Sequence, residues 1–348
     1  MGESRLARSR SGLRRPRRLR QGRRGVVAVV GTLLALLVFF ALFGVFLTQY
    51  LPLWMTDNES QLSNEAQGSL AALKNGIDLQ YALGTIPILS VPFTISSASV
   101  PLLAQPTEGT LSYLTGCPSG FYPGNGTPVV PGSCSYARIT YTVGGGAVRN
   151  NPYVGSAPSN ILTFSLPNRY YTPITYYLEE DAVEASQGGG HQLMVLPPPI
   201  NVSKTDGNVT VTSSLVDLLG NASTYTGLGS KDVTSHLVSS SRITSTDRFL
   251  NGPTCATNLS SCVAMSFNVT ITLGVHSVCA WYNYLANVTV GSGASSTVAG
   301  SWGSGAPSST VCTASTTQTY DITLTLLNVN YATTFVAQAQ LGFNAGGL

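Results

Sequence analysis

The sequence predicts a mainly β protein carried by one N-terminal membrane-crossing helix that continues into an amphipathic stalk helix. Three observations predict it: an uncharged apolar run from Val26, helix-period spacing after it, and period-two alternation over much of the remaining chain. The β region reads as β-sandwich-like, extracellular and arranged in about two lobes. With 348 residues and 43% hydrophobic composition the chain can bury a sizeable core. Only 9% of residues are charged, which excludes charge-driven disorder.

No residue from Val26 to Met55 is charged, and Val26–Leu47 is almost continuously apolar. As a helix this run is about 33 Å long, enough to cross a hydrocarbon core of about 30 Å. Residues 26–55 are therefore assigned to a transmembrane helix and residues 1–25 to a basic head. Residues 1–24 hold ten Arg and one acid, Glu3, whereas residues 51–348 hold eight basic and fourteen acidic residues. The net charge of +3 averages two oppositely charged parts. Arginines gathered on one flank of a span place that flank in the cytoplasm, so the reading is a single-pass cell-membrane protein, N-terminus inside and ectodomain outside. Tyr50 and Trp54 fall where an aromatic pair sits in the outer interface. The apolar run is longer than a secretory signal's core and no small-x-small cleavage site follows it, so removal as an ordinary signal is not expected. The Arg head lacks interleaved aromatics and abuts the span; its partner is the lipid bilayer, and nucleic acid is not predicted.

The stretch 56–84 reads as the stalk helix. Leu62, Ala66, Leu70, Leu73, Ile77 and Tyr81 recur at three-or-four spacing, with Glu65, Lys74 and Asp78 placed elsewhere. Asp57 or Asn58 is the expected N-cap, and Gly84 the expected stop. Beyond it, Val263, Met265, Phe267, Val269, Ile271 and Leu273 alternate with small or polar residues, as do Ile322, Leu324 and Leu326, and Ile139, Tyr141 and Val143. Asp206-Gly207 between two Val/Thr-rich arms predicts a type I′ hairpin. Pro197-Pro198-Pro199 cannot continue a ladder and is taken as the linker between β lobes at 85–196 and 200–348. The low-complexity run Gly291–Pro307 is expected to be an exposed loop.

Six cysteines, Cys117, Cys134, Cys255, Cys262, Cys279 and Cys312, all follow the span, an even set that reads as disulfides in an oxidising compartment. Sequence proximity favours Cys117–Cys134, Cys255–Cys262 and Cys279–Cys312 among the possible pairings. Asn-x-Ser/Thr triplets at Asn58, Asn125, Asn201, Asn208, Asn221, Asn258, Asn268 and Asn287 are glycosylation candidates, all on the side expected to be outside.

Searching for chemistry finds no Gly-x-Ser-x-Gly elbow, His-Glu-x-x-His pair, phosphate loop or EF-hand. The expectation is a non-enzyme with no cofactor. His191, His236 and His276 are far apart in sequence and read as loop or strand residues. Glu179, Glu180, Asp181 and Glu184 form the one acidic cluster; a solvated acidic turn is the expected reading, with Ca²⁺ binding or acid/base work the weaker alternatives. Tyr170-Tyr171, Tyr176-Tyr177 and Trp281-Tyr282-Asn283-Tyr284 could stack on sugars but fit core or strand-pair positions better.

Four segments in order, GVVAVVGTLLALLVFFALFGVFLTQYLPLW, NEAQGSLAALKNGID, PNRYYTPITYYLEEDAVEASQGGG and VTSSLVDLLGNASTYTGLGSKDVTSHL, resemble a family of archaeal, chiefly euryarchaeal, membrane-anchored surface proteins of no assigned biochemical role. The likeness spans most of residues 25–250. Its N-terminal segment is similar to type IV pilins, and Arg24, Gly25 and Val26 are similar to the junction at which archaeal pilin precursors are cut. The usual euryarchaeal Ser-Pro just after that junction is missing here. The resemblance implies an envelope protein with a structural or adhesive role and carries over no catalytic residue. Alternatives are a pilin-like filament subunit, pairing with itself through N-terminal helices, and a module that binds surface glycans or other envelope proteins.

Overall fold

The computed structural model describes residues 21–84, 88–99, 104–114, 135–143, 147–150, 159–188, 191–244, 267–300 and 320–344. The chain divides into two compact units, Met1–Met55 and Thr56–Leu348.

The first unit is helical: α1 (Gln21–Val45), a π-helical turn (Phe46–Tyr50) and the start of α2 (Leu51–Leu83). It contains the one helix, among the described residues, long and apolar enough to cross a membrane. Leu33, Leu34, Leu36 and Leu42, which face different sides of the helix, are all exposed. A helix apolar all round is a structure for lipid or for a helical assembly. Its few polar groups are satisfied internally: Thr32 and Thr48 donate to the carbonyls of Val29 and Gly44, both at 2.9 Å. The π turn adjoins Pro52, which has no N–H to give to the carbonyl of Thr48. Helix α2 runs from Leu51, which has helical backbone and continues the path of the π turn. The expected cap at Asp57 or Asn58 is thus corrected, because both lie inside the helix.

In the second unit α2 turns one face inward. Leu62, Ala66, Leu70, Leu73 and Ile77 are all buried, each large side chain contributing about 1.5–3 kcal/mol of burial. Gly84 ends the helix at φ +60°, donating its N–H to the Gln80 carbonyl at 3.1 Å. The strands, in chain order, are β1 (Leu89–Thr94), β2 (Thr110–Leu114), β3 (Tyr136–Val143), β4 (Ala147–Asn150), β5 (Ile161–Leu166), β6 (Ile174–Glu179), β7 (Ala182–Gln187), β8 (His191–Leu196), β9 (Asn201–Thr205), β10 (Asn208–Leu219), β11 (Ser223–Thr226), β12 (Ser230–Thr244), β13 (Phe267–Val275), β14 (Ser296–Gly300) and β15 (Tyr320–Asn344). A third helix, α3 (Val278–Ser292), stands between β13 and β14.

Two sheets result. The smaller is antiparallel, in the order β11-β2-β5-β6-β7-β8; the larger runs β1-β12-β15-β13-β3-β4, with β10 parallel to β15, β9 beside β10, and β14 on β15. Strand β15 organises the larger sheet. Its first part pairs with β13 and β14 and its second with β10 and β12, and Asn328, at φ 57°, marks the change of partners.

The period-two expectation holds along β13 and β15. Phe267, Val269, Ile271 and Leu273 are buried, as are Ile322, Leu324 and Leu326. Each sheet draws strands from both sides of Pro197-Pro199, so the expected lobes at 85–196 and 200–348 give way to two interleaved sheets within one unit. Strand pairing across the prolines carries the chain back into the first sheet through β11 on β2. The run expected as a loop from Gly291 instead holds the end of α3, capped by Gly293 at φ 62°, and strand β14. Residues 301–307 of that run lie outside the described residues.

Two apolar clusters fill the unit. One joins the face of α2 to β1, β2 and β5–β7; the other joins α3 to β3, β9 and β13. Strands β10, β12 and β15 feed both. On β15, Val336 belongs to the α3 cluster and its neighbour Ala337 to the α2 cluster, so the larger sheet is packed on both faces there.

Candidate functional site

The site is built on the β6–β7 hairpin. Glu180 and Asp181 are its two turn residues, with φ of 47° and 63°. Left-handed backbone at both positions is what a type I′ turn needs, and a residue with a Cβ pays about 1–2 kcal/mol for it. The acidic turn is not solvated, which corrects the sequence expectation: Glu179, Glu180 and Glu184 are fully buried and Asp181 is 3% exposed. The physical reason is that the turn is covered by α2, β10 and the start of α3, and each carboxyl meets a different neighbour there.

Glu179 faces the N-terminal end of α3. It accepts from the backbone N–H of His276 at 2.9 Å and of Ser277 at 3.3 Å, and its other oxygen lies 3.3 Å from His276 Nδ1. The His276 ring stacks on Tyr177 at 6.0 Å. Asp181 faces α2, with Oδ1 3.2 Å from Lys74 Nζ; the same ammonium donates to Asp78 Oδ2 at 2.8 Å. Glu180 lies toward Ser135 and Asp217, and Glu184 toward the Trp281 indole, but neither carboxyl makes a hydrogen bond of good geometry.

The electrostatics follow from that placement. Burial pushes Glu180 and Glu184 well above the usual carboxylate range, and neighbouring acids, Asp217 and Glu179 first among them, push them further. Asp217 on β10 is raised by burial to about 7, against a weaker lowering by Gln338. Asp181 is raised well above its ordinary value, by burial first; Lys74 opposes this and Asp78 adds to it. Burial pulls the Lys74 ammonium down, and the Asp181 and Asp78 carboxyls more than restore it. Of the two carboxyls that meet Lys74, Asp181 is the deeper, and its burial favours the neutral acid.

A second buried carboxyl behaves in the opposite way. Glu59, fully buried on α2, accepts the N–H groups of Arg169, Tyr170 and Tyr171 at 3.1, 2.7 and 2.7 Å and the hydroxyl of Thr107. Burial raises it, but these four donors more than cancel that and leave it lowered. It ties α2 to the loop between β5 and β6.

Among the described residues no three His, Cys, Asp or Glu side chains gather to hold a metal ion, so the Glu179, Glu180, Asp181 and Glu184 candidate does not form. Glu179 is turned to the start of α3 and Asp181 to α2. Their burial offers no open face to a dissolved substrate.

Other sequence candidates are scattered. Cys279 is buried in α3 and disulfide-bonded; Cys117, Cys134, Cys255, Cys262 and Cys312, and with them the expected pairings, lie outside the described residues. Asn201, Asn208, Asn221 and Asn287 are exposed, Asn58 and Asn268 half-buried, and Asn125 and Asn258 outside the described residues. Arg24, Gly25 and Val26 fall within α1. Tyr170 and Tyr171 are exposed, whereas Tyr176, Tyr177 and Trp281 are buried, which removes Trp281 as a sugar-stacking platform. His191 is exposed, His236 half-buried and His276 buried. A cleft of about 290 Å³ runs beside α2, lined by Asn58, Gln61, Glu65, Ser96 and Ser97 among others.

Sequence reasoning missed Glu59, Asp217, α3 and the inward turn of Lys74. Two signals were present. Lys74 is four residues after Leu70 and three before Ile77, which is the spacing of the buried face; Val278, Trp281 and Leu285 have helix spacing after Ser277. Comparison with protein-family models, curated proteins and solved structures finds no match to this chain.

Proposed function

We propose that the chain is a non-enzymatic archaeal cell-envelope protein, with α1 as its membrane anchor and the β unit as an ectodomain in a structural or adhesive role. The single observation that carries this is α1 itself, whose Leu33 and Leu37 are 63% and 67% exposed among similarly exposed Val and Phe side chains. That much bare apolar surface needs a lipid or protein cover. Three further features support the outward side: ten arginines ahead of the helix, a disulfide at Cys279, and four exposed asparagines in glycosylation triplets. In this reading Glu59, Glu179 and Asp181 serve the frame of the ectodomain, since they meet backbone N–H groups and Lys74.

The test is protease treatment of intact cells or right-side-out vesicles. Digestion of the β unit with survival of a membrane-embedded N-terminal fragment is expected; full protection of the β unit would overturn the orientation. A pilin-like subunit is the second reading, favoured by the Arg24-Gly25-Val26 junction. Sequencing of the mature N-terminus separates the two, because a chain starting at or beside Val26 supports the filament form and an intact Arg head removes it.

A further inference from the structure

We propose that Lys74 and Asp181 are the two halves of an intramolecular isopeptide bond, a side-chain amide that ties α2 to the β6–β7 hairpin.

The chain has three lysines, and they differ sharply. Lys204 is exposed and Lys231 lies over the Tyr225 ring, but Lys74 is buried, its side chain 7% exposed. Its Nζ stands 3.2 Å from Oδ1 of Asp181, whose side chain is 2% exposed. The other Asp181 oxygen, Oδ2, is buried and has no hydrogen-bond partner. A buried ammonium beside a buried carboxyl with one oxygen unsatisfied is an expensive way to hold two elements together, because both groups lose their hydration and only part of it is replaced. A neutral amide removes the ammonium charge and leaves one N–H and one carbonyl in place of the two groups.

The geometry also supplies the chemistry. Both side chains are fixed, one by a helix packed along its length and one by a two-residue turn, so the amine and the carboxyl are held together without further ordering. Asp78 lies 2.8 Å from the same Nζ, one helical turn along α2, and its side chain is 33% exposed. It is the base. The Asp78 carboxylate takes one proton from the Lys74 ammonium; the freed lone pair on Nζ attacks Cγ of protonated Asp181, forming the N–C bond. The nitrogen then gives up a second proton, which reaches the departing hydroxyl through Asp78. The C–O bond breaks and water leaves. Asp78 is left with one proton, which it releases to solvent. An ammonium and a carboxylic acid have become an amide, a water and a proton, with no oxidant or co-reactant. The bond links residues over a hundred positions apart, and neither its formation nor its test depends on which side of a membrane the β unit occupies.

The experiment is mass spectrometry of the full-length chain, solubilised in detergent, reduced and unfolded. The expected result is a mass lower by one water than that of the Lys74→Arg chain after allowance for the substitution, with fragments containing Lys74 and Asp181 recovered as one branched peptide. Trypsin then leaves the chain uncut after residue 74. Asp181→Ala abolishes the link, and Asp78→Asn slows its formation about a hundredfold in freshly folded protein. Should the variants not fold, the native chain decides alone. Cleavage after Lys74 in the unfolded native chain, or labelling of its Nζ by an amine reagent, overturns the proposal.

Discussion

The hairpins at Asp206-Gly207 and at Glu180-Asp181 turn through the same left-handed backbone, with φ of 52° and 82° in the first and 47° and 63° in the second. The first is exposed and uses the residue pair that the turn prefers. The second is buried and uses two acids that the turn disfavours. Backbone geometry alone explains Asp206-Gly207, since nothing lies within 4 Å of where a Gly207 Cβ would stand. It cannot explain Glu180-Asp181, whose side chains are the costly part. The difference teaches that the buried hairpin is kept for what it meets, and Asp181 meets Lys74.

The largest expected effect that separates the two turns is pH dependence. Asp217 sits near 7 in the folded chain against an ordinary 3.8, and Glu180 and Glu184 are raised in the same sense. A folded state that holds protons the unfolded state has released is most stable below the unfolded values and loses that advantage as pH climbs through the folded ones. Asp217, beside Glu180, then contributes a loss on the order of a few kcal/mol between about pH 4 and pH 7. Glu59 works the other way, its lowered value costing stability only as pH falls below the ordinary carboxylate range. Denaturant midpoints should therefore peak in mild acid; Asp217→Asn should flatten the alkaline side, and a midpoint rising from pH 5 to 7 would refute the proton balance drawn here. Next in size is Lys74→Met, which unties α2 from the hairpin and leaves the buried Asp181 carboxyl without its partner; it should cost about 3–5 kcal/mol in equilibrium unfolding. The matching change at the exposed turn, Asp206→Ala, should stay within about 1 kcal/mol.

The two turns also show what a sequence discloses. Asp206-Gly207 is legible because the turn's requirement and the residue preference coincide, and the same holds for the alternating residues of β13 and for the apolar run of α1. Glu180-Asp181 is not, because acids in a short polar stretch are ordinarily at the surface, and their burial depends on Asp217 and His276, 36 and 95 residues further along the chain. Lys74 misleads for a related reason: one charge beside Leu73 looks like the edge of a solvated face until a carboxyl from another element is placed opposite. The interleaving of the sheets was likewise hidden, since pairing of β11 with β2, or of β1 with β12, joins segments separated by more than a hundred residues and leaves no local mark.

The smallest effect gives the most direct contrast, a glycine exchanged in each turn. Gly207→Ala places a Cβ in open space at φ 82°, so any loss is conformational and should be about 1 kcal/mol, independent of pH. Glu180→Gly at φ 47° removes a similar strain and with it a buried acid that has no hydrogen-bond partner. Gains from relieved strain and lost desolvation outweigh the greater freedom of glycine in the unfolded chain, so this variant should be more stable at pH 8 by about 1 kcal/mol or more. The gain should shrink in acid, where the carboxyl is neutral and its burial costs less. Thermal unfolding of both variants at two pH values measures this. A Glu180→Gly chain less stable than the parent at pH 8 would mean that Glu180 holds a partner worth more than its burial costs.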